Sequence, residues 1–180
     1  MAGIHVTLPD GKSVDVPSGT RIEELALRAG VRRGIVAAKE NGRLVDLSRA
    51  LDQDATLQWV SPESPEGLDT LRHSTAHLMA QAVQDLFPGT QVTIGPTIEN
   101  GFYYDFKRSE PFSPEELERI EKRMAELVRA DLKIVREELP RGEAVELFRG
   151  MGEHYKVEII EGIPGERVSL YRQGDWVDLC

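Results

Sequence analysis

The stretch Ser61-Pro62-Glu63-Ser64-Pro65-Glu66-Gly67 followed by Leu68-Asp69-Thr70-Leu71-Arg72-His73-Ser74-Thr75-Ala76-His77-Leu78-Met79-Ala80-Gln81-Ala82-Val83-Gln84-Asp85-Leu86-Phe87-Pro88-Gly89 decides how the chain is organised. Its first seven residues hold two prolines, a glycine and no apolar side chain, the composition of an exposed connection between domains. From Leu68 the pattern changes. Leu68, Leu71, Leu78, Met79, Ala82, Val83 and Leu86 gather on one side at about 100° per residue, which predicts an amphipathic helix over 68–87, ended by Pro88-Gly89. The reading outward from this stretch is a first domain over 1–61, a linker over 62–67 and a second domain over 68–180.

Upstream, Ile4 to Leu8 and Val14 to Val16 read as strands joined by Pro9-Asp10-Gly11-Lys12, whose glycine can take the positive φ of a tight reversal. A helix follows from Thr20, with Ile22, Leu25 and Ala26 on one side, Glu23 and Glu24 in its first turn, and Gly30 as its stop. Ile35 to Lys39 and Leu44 to Leu47 flank Asn41-Gly42, a strong hairpin signal, and Thr56 to Val60 supplies a last strand. Strand, strand, helix and further strands in so short a span predict a small β-grasp, ubiquitin-like domain.

Downstream, Val92 to Ile94 and Ile98 to Phe106 read as strands, and Pro114 to Ala130 as a helix opened by a Ser113/Glu116 capping box with proline at its first position. Strand-like Lys133 to Leu139, a short helix near Glu143 to Phe148, and strands near Lys156 to Ile160 and Arg167 to Tyr171 complete an α+β domain: a long helix packed on an antiparallel sheet.

Composition bounds the function. The 180 residues are 40% hydrophobic and 29% charged, an ordinary globular balance. Residues 1–60 carry eight basic and eight acidic side chains, so residues 61–180 hold the whole net charge of −9. Phosphate neutralisation dominates nucleic-acid affinity, so a chain this acidic is expected to hold RNA weakly unless a larger protein supplies basic surface. The first twenty residues lack an apolar signal-peptide core and no later run approaches a membrane span, which predicts a soluble, cytoplasmic protein with no membrane partner. One cysteine, Cys180, excludes an internal disulfide and a four-cysteine zinc site. No phosphate-cradling glycine loop is present, which argues against ATP use.

Several residues carry candidate chemistry. His73 and His77, four apart, project from one helix face, roughly opposite the centre of the apolar stripe; the bland alternative is two exposed histidines. Cys180 adds a thiol, and two imidazoles with a thiolate form a set that zinc accepts; the plain alternative is a small buried apolar residue. Lys156, read as a strand residue, points opposite its neighbours, either to water or into a cleft. Asp178 stands two residues before Cys180, so in an extended segment both side chains share one side; otherwise it is an exposed acid. Phe102, Tyr103, Tyr104 and Phe106 read as strand residues that pack a core on one face, with stacking on bases as the alternative.

The strings His73-Ser74-Thr75-Ala76-His77-Leu78-Met79-Ala80, Ile94-Gly95-Pro96, Glu99-Asn100-Gly101-Phe102-Tyr103-Tyr104-Asp105-Phe106 and Phe112-Ser113-Pro114-Glu115-Glu116-Leu117 resemble the editing domain of bacterial threonyl-tRNA synthetases. Pro9-Asp10-Gly11 and Asn41-Gly42-Arg43-Leu44-Val45-Asp46-Leu47 are similar to the TGS domain of the same enzymes. The resemblance implies hydrolysis of seryl-tRNA made in error on threonine tRNA. Catalytic residues carry over onto His73, His77, Lys156 and Cys180, and a substrate-binding residue onto Asp178, around the serine and the terminal adenosine of the tRNA acceptor end. His73 and Lys156 are expected to position and polarise the attacking water and the leaving oxygen, and His77 and Cys180 to reject the threonine methyl.

The family pattern continues beyond Cys180 to another histidine, and its aminoacylation core and anticodon-binding domain have no counterpart here. The resemblance therefore implies an N-terminal fragment of a ligase, monomeric by itself, with the remainder of a homodimeric synthetase in cis. No cofactor is expected for the fragment; zinc, ATP and magnesium are implied for the synthetic core. Two alternatives stand beside this reading: a non-catalytic module binding RNA or a partner, and a free-standing deacylase with zinc on His73, His77 and Cys180. The TGS-like first domain argues against the latter.

Overall fold

Alternation of buried and exposed side chains along β1 (Gly3–Thr7) turns Ile4 and Val6 inward and His5 outward. The computed structural model, which describes residues 3–31 and 33–180, pairs this strand antiparallel with β2 (Ser13–Pro17), Val6 opposite Val14. The short β3 (Thr20–Arg21) leads into α1 (Ile22–Arg28), which buries Ile22, Leu25 and Ala26. β4 (Ala37–Glu40) and β5 (Arg43–Val45) turn at Asn41 and Gly42, whose φ values of 51° and 85° are both in the positive region that a two-residue hairpin turn requires. β6 (Ala50–Leu51) pairs with β3, and β7 (Ala55–Val60) enters parallel beside β1. The sheet order β2-β1-β7-β4-β5, with Ile22 and Leu25 of α1 packed on Ile4, Val6, Ala38 and Leu57, is the β-grasp arrangement foreseen from the sequence.

The chain divides after Leu71 into two units, each with its own core. The long helix α2 (Pro65–Leu86) starts three residues earlier than its apolar stripe suggests. Ser64 explains the difference: its Oγ accepts from Gly67 N at 3.1 Å and its carbonyl from Leu68 N at 2.8 Å, while Pro65 takes the first helical position, where a missing N–H costs nothing.

In the second unit, the strands read over 92–94 and 98–106 are interrupted. They form two short ladders, β8 (Gln91–Val92) with β11 (Phe106–Lys107), and β9 (Thr97–Ile98) with β10 (Gly101–Phe102). α3 (Pro114–Ala130) begins as foreseen, with Glu116 N donating to Ser113 Oγ and Ser113 N donating to Glu116 Oε2. β12 (Ile134–Pro140), α4 (Arg141–Gly150), α5 (His154–Gly162), β13 (Arg167–Gln173) and β14 (Trp176–Leu179) follow.

The segment 156–160, expected as a strand, is helical in α5. Its valine and isoleucines favour β structure locally, but the i, i+4 pair Lys156 and Ile160 is the pair that tertiary packing buries. The antiparallel sheet β12-β13-β14 holds α4 and α5 on one face through Ala144, Phe148, Ile160, Leu170, Val177 and Leu179. Residues alternating with these, notably Tyr171 and Asp178, face the other side, toward α2. α2 is buried on two flanks, by Val92 and Tyr104 against Ala76 and Ala80, and by Ile120 and Leu127 of α3 near Ala82 and Val83.

The capping box is a measurable element of this unit. Ser113→Ala removes a side-chain acceptor and is expected to lower stability by about 1 kcal/mol in chemical denaturation, whereas Val128→Ala, at a 63% exposed position, should shift it by less than about 0.5 kcal/mol.

Candidate functional site

Two imidazoles one turn apart on α2 face β14, whose pleat sends Trp176, Asp178 and Cys180 to the same side. The five residues singled out from the sequence meet there. His77 Nδ1 lies 2.8 Å from Asp178 Oδ2, His77 Nε2 lies 3.1 Å from His73 Nε2, and His73 Nε2 lies 3.1 Å from Cys180 Sγ. Lys156 reaches the cluster from α5, its Nζ 2.6 Å from Asp178 Oδ1.

The polar end is closed to water. Asp178 is 0% and Lys156 3% exposed, so neither is the solvated charge that its residue type suggests by default. Helix geometry accounts for Lys156, because it sits one turn from Ile160 on the packed face of α5. His77 is 9% exposed despite lying off the apolar stripe, since β14 covers the third side of α2. Cys180 is exposed, not the buried apolar residue that a lone cysteine usually is.

Tyr104, which the sequence offers as a core residue or a base-stacking aromatic, is a polar member of the cluster. Its hydroxyl donates to Asp178 Oδ2 at 2.6 Å and accepts from Lys156 Nζ at 2.8 Å, while its ring stacks on Phe106. Gly95 makes room for it: a Cβ there would stand 2.3 Å from Tyr104 Cδ2, so the Gly95-Pro96 string has a steric meaning that spacing does not reveal. Trp176 donates from Nε1 to Gln84 Oε1 at 2.7 Å, and Gln84 donates to Glu153, which also accepts from Val92 N at 3.2 Å. This second chain of bonds fixes the indole 6.1 Å from the His77 ring, and no motif in the sequence announces it.

Electrostatics set the protonation states. Burial by itself raises the Asp178 carboxyl, but the hydrogen bond from His77 and the charges of Lys156 and His77 outweigh it and hold the group below its ordinary value. Burial, followed by the negative charge of Asp178, pushes the Tyr104 hydroxyl far above its usual range, so it stays a donor. Burial also raises Glu153, against the opposing donors Val92 N–H and Gln84. An ionised Asp178 can only accept, so His77 Nδ1 carries a hydrogen and Nε2 is the nitrogen turned toward His73.

The donor atoms of His73, His77 and Cys180 lie within 4.8 Å of one another. Such a cluster can hold and deprotonate a water, or ligate a soft divalent metal with an open fourth position; the carboxylate behind His77 is the outer partner common at metal-bound histidines.

Comparison with known proteins agrees with the fold and adds a family context. A family model for the TGS domain matches residues 4–61. The threonine–tRNA ligase of Citrifermentans bemidjiense is 54% identical over 182 residues, covering 100% of this chain and 29% of that protein. That of Aromatoleum aromaticum is 55% identical over 179 residues, covering 98% of this chain and 28% of that protein. That of Anaeromyxobacter dehalogenans is 51% identical over 183 residues, again with 98% and 28% covered. The chain thus spans less than a third of the length of these relatives. It carries a TGS domain and is similar over its whole length to the N-terminal region of bacterial threonyl-tRNA synthetases.

The buried ion pair yields a stability test. Asp178→Ala strands the Lys156 ammonium and should cost about 3–5 kcal/mol in denaturant unfolding, while the double change Asp178→Leu with Lys156→Met should recover most of the loss. The sign of the pH effect follows from the depressed Asp178 value: its stabilisation is complete above the unfolded carboxyl range, about pH 3.9, and disappears as pH falls through the folded value. Acid titration of unfolding should therefore show a shallower acid limb in the double variant than in the parent chain.

Proposed function

We propose that this chain, similar throughout to the N-terminal region of threonyl-tRNA synthetases, is a proofreading unit that hydrolyses the seryl ester on threonine tRNA. The observation that carries the proposal is the unbroken series Lys156, Asp178, His77, His73, Cys180, which runs from a dry, charged end to an exposed thiol. Serine differs from threonine by the lack of one methyl, and a pocket gains only about 1–3 kcal/mol from such a group, so faithful charging needs a second, smaller site.

In the proposed reaction, a water held beside the paired imidazoles attacks the ester carbonyl carbon. Its oxygen bonds to that carbon, its proton passes to the imidazole pair, and the bond to the ribose oxygen breaks as that oxygen takes the proton. Serine and uncharged tRNA leave. Asp178 keeps His77 in one tautomer, and Lys156, engaged by Asp178 and Tyr104, stabilises that carboxylate and directs positive potential at the developing oxyanion. His77 and Cys180 bound the space that a threonine methyl would need. The acceptor end of threonine tRNA is the proposed partner, and a longer synthetase containing this region would supply the basic surface, ATP, magnesium and zinc for aminoacylation. By itself the chain is proposed to be a cytoplasmic monomer.

A second reading, metal-assisted hydrolysis, rests on the convergence of the three donor atoms of His73, His77 and Cys180. Bound zinc would supply a nucleophilic hydroxide there. Elemental analysis of the purified chain separates the two: one tightly held zinc, with hydrolysis abolished by chelation, supports the metal reading, and chelator-insensitive hydrolysis removes it.

The primary test is hydrolysis of labelled seryl-tRNA and threonyl-tRNA, both on threonine tRNA. Selective loss of the seryl ester is expected, slowed about 100-fold or more in His73→Ala. Equal hydrolysis of both esters, or undiminished activity in the variant, would overturn the proposal.

A further inference from the structure

The geometry points to Gln84 as a positioning residue for the proofreading reaction, acting through Trp176 on the paired imidazoles; the assignment rests on the proofreading reading above. The second unit joins the same three elements twice. In the first junction, Lys156 of α5, Asp178 of β14 and His77 of α2 meet at the buried carboxylate. In the second, Glu153 at the start of α5 accepts from Gln84 Nε2 of α2, and Gln84 Oε1 accepts from Trp176 Nε1 of β14 at 2.7 Å. Gln84 is the middle member of this second junction.

Helix and strand periods set the two junctions side by side. Gln84 follows His77 by two turns of α2, so the two share a face, about 10 Å apart along the axis. Trp176 and Asp178 are alternate residues of β14 and point the same way, about 7 Å apart. One hydrogen bond between a helix and a strand leaves a pivot. A second bond two turns along removes it, and so sets the angle at which His73 and His77 approach Asp178 and Cys180. The indole does this while standing against the imidazole: its centroid is 6.1 Å from that of His77 and the ring planes are 66° apart, an edge-to-face contact.

The chemistry of the middle place calls for an amide. The indole N–H only donates, and the Glu153 oxygens accept, one from Gln84 and the other from Val92 N at 3.2 Å. A side chain between them must accept at one atom and donate at another. These partners also settle which end of the Gln84 amide is oxygen, and its nitrogen lies 3.3 Å from the Thr90 carbonyl as well. Glu153 and Thr90 are each 5% exposed, so a bond lost here leaves a buried acceptor short of its donor.

The experiment is hydrolysis of labelled seryl-tRNA on threonine tRNA by the whole chain, with kcat and KM separated, together with imidazole 15N spectra. Gln84→Met keeps the length of the side chain and removes both polar atoms; Trp176→Phe keeps a ring and removes the N–H. Each should lower kcat about tenfold or more while KM stays within about twofold. The His77 nitrogen resonances should shift in Gln84→Met, although that change touches neither Asp178 nor the imidazole itself. The double variant should be no slower than the slower single one, because both changes cut the same bond. Unchanged kcat or unshifted His77 resonances in Gln84→Met, a rise in KM alone, or losses that multiply in the double variant each overturn the assignment and leave the proofreading reading intact. A Gln84→Met chain that is unfolded at the assay temperature makes Gln84 a structural residue and equally overturns it. Failure of the parent chain to hydrolyse seryl-tRNA overturns the proofreading reading and the assignment together.

Discussion

The candidate site depends on one buried contact, the ion pair of Lys156 with Asp178, 2.6 Å apart and almost wholly removed from water. Charges in such a place are costly to bury and are retained only where each has further partners. Asp178 has them in His77, Tyr104 and Leu179 N, and Lys156 in Tyr104. The bonds join α5, β14, α2 and the segment before β11, so the pair sets the spacing of four separate stretches of chain around one carboxylate. A uniquely ionised Asp178 in turn dictates which nitrogen of His77 bears hydrogen, and with it the reactivity of the whole row.

Much of this was readable in the sequence, for identifiable reasons. The β-grasp unit follows local rules throughout: alternation in β1, a positive-φ turn at Asn41-Gly42, and an amphipathic α1. The start of α3 is equally local, since Ser113, Pro114 and Glu116 specify it without outside help. The pairing of His73 with His77, and of Asp178 with Cys180, follows from helical and strand periods. That these four belong together, with Lys156, came from family resemblance, because positions separated by a hundred residues are joined by tertiary packing alone.

The misreadings have the same cause. Valine and isoleucines around Lys156 give the segment a strand-like pattern, yet the packing of Ile160 and Phe148 against the sheet selects a helix and carries Lys156 inward. A single apolar stripe puts His77 off the core, whereas α2 is covered on three sides and each cover draws on a different row of its residues. Tyr104 hides among four aromatics in five residues; only Gly95, which leaves space for its ring, and the hydroxyl's place between Lys156 and Asp178 distinguish it from Phe102 and Phe106.

Rigidity at one end and access at the other are what a size-selective hydrolytic site needs. Excluding a single methyl requires walls that do not yield, and His77, one of the two residues proposed to bound that space, is backed by Asp178, which Tyr104 and Lys156 hold in turn, while Trp176 beside it is held through Gln84 and Glu153. At the other end Cys180 is exposed, as are Arg136 and Glu138 on the neighbouring face of β12. On the proposed reading, a bulky nucleic-acid end enters from the exposed side while the buried contacts keep the reacting groups in place. On that reading His77 joins the two ends, its Nδ1 held by the buried carboxylate and its Nε2 turned toward His73 and the exposed thiol beyond it.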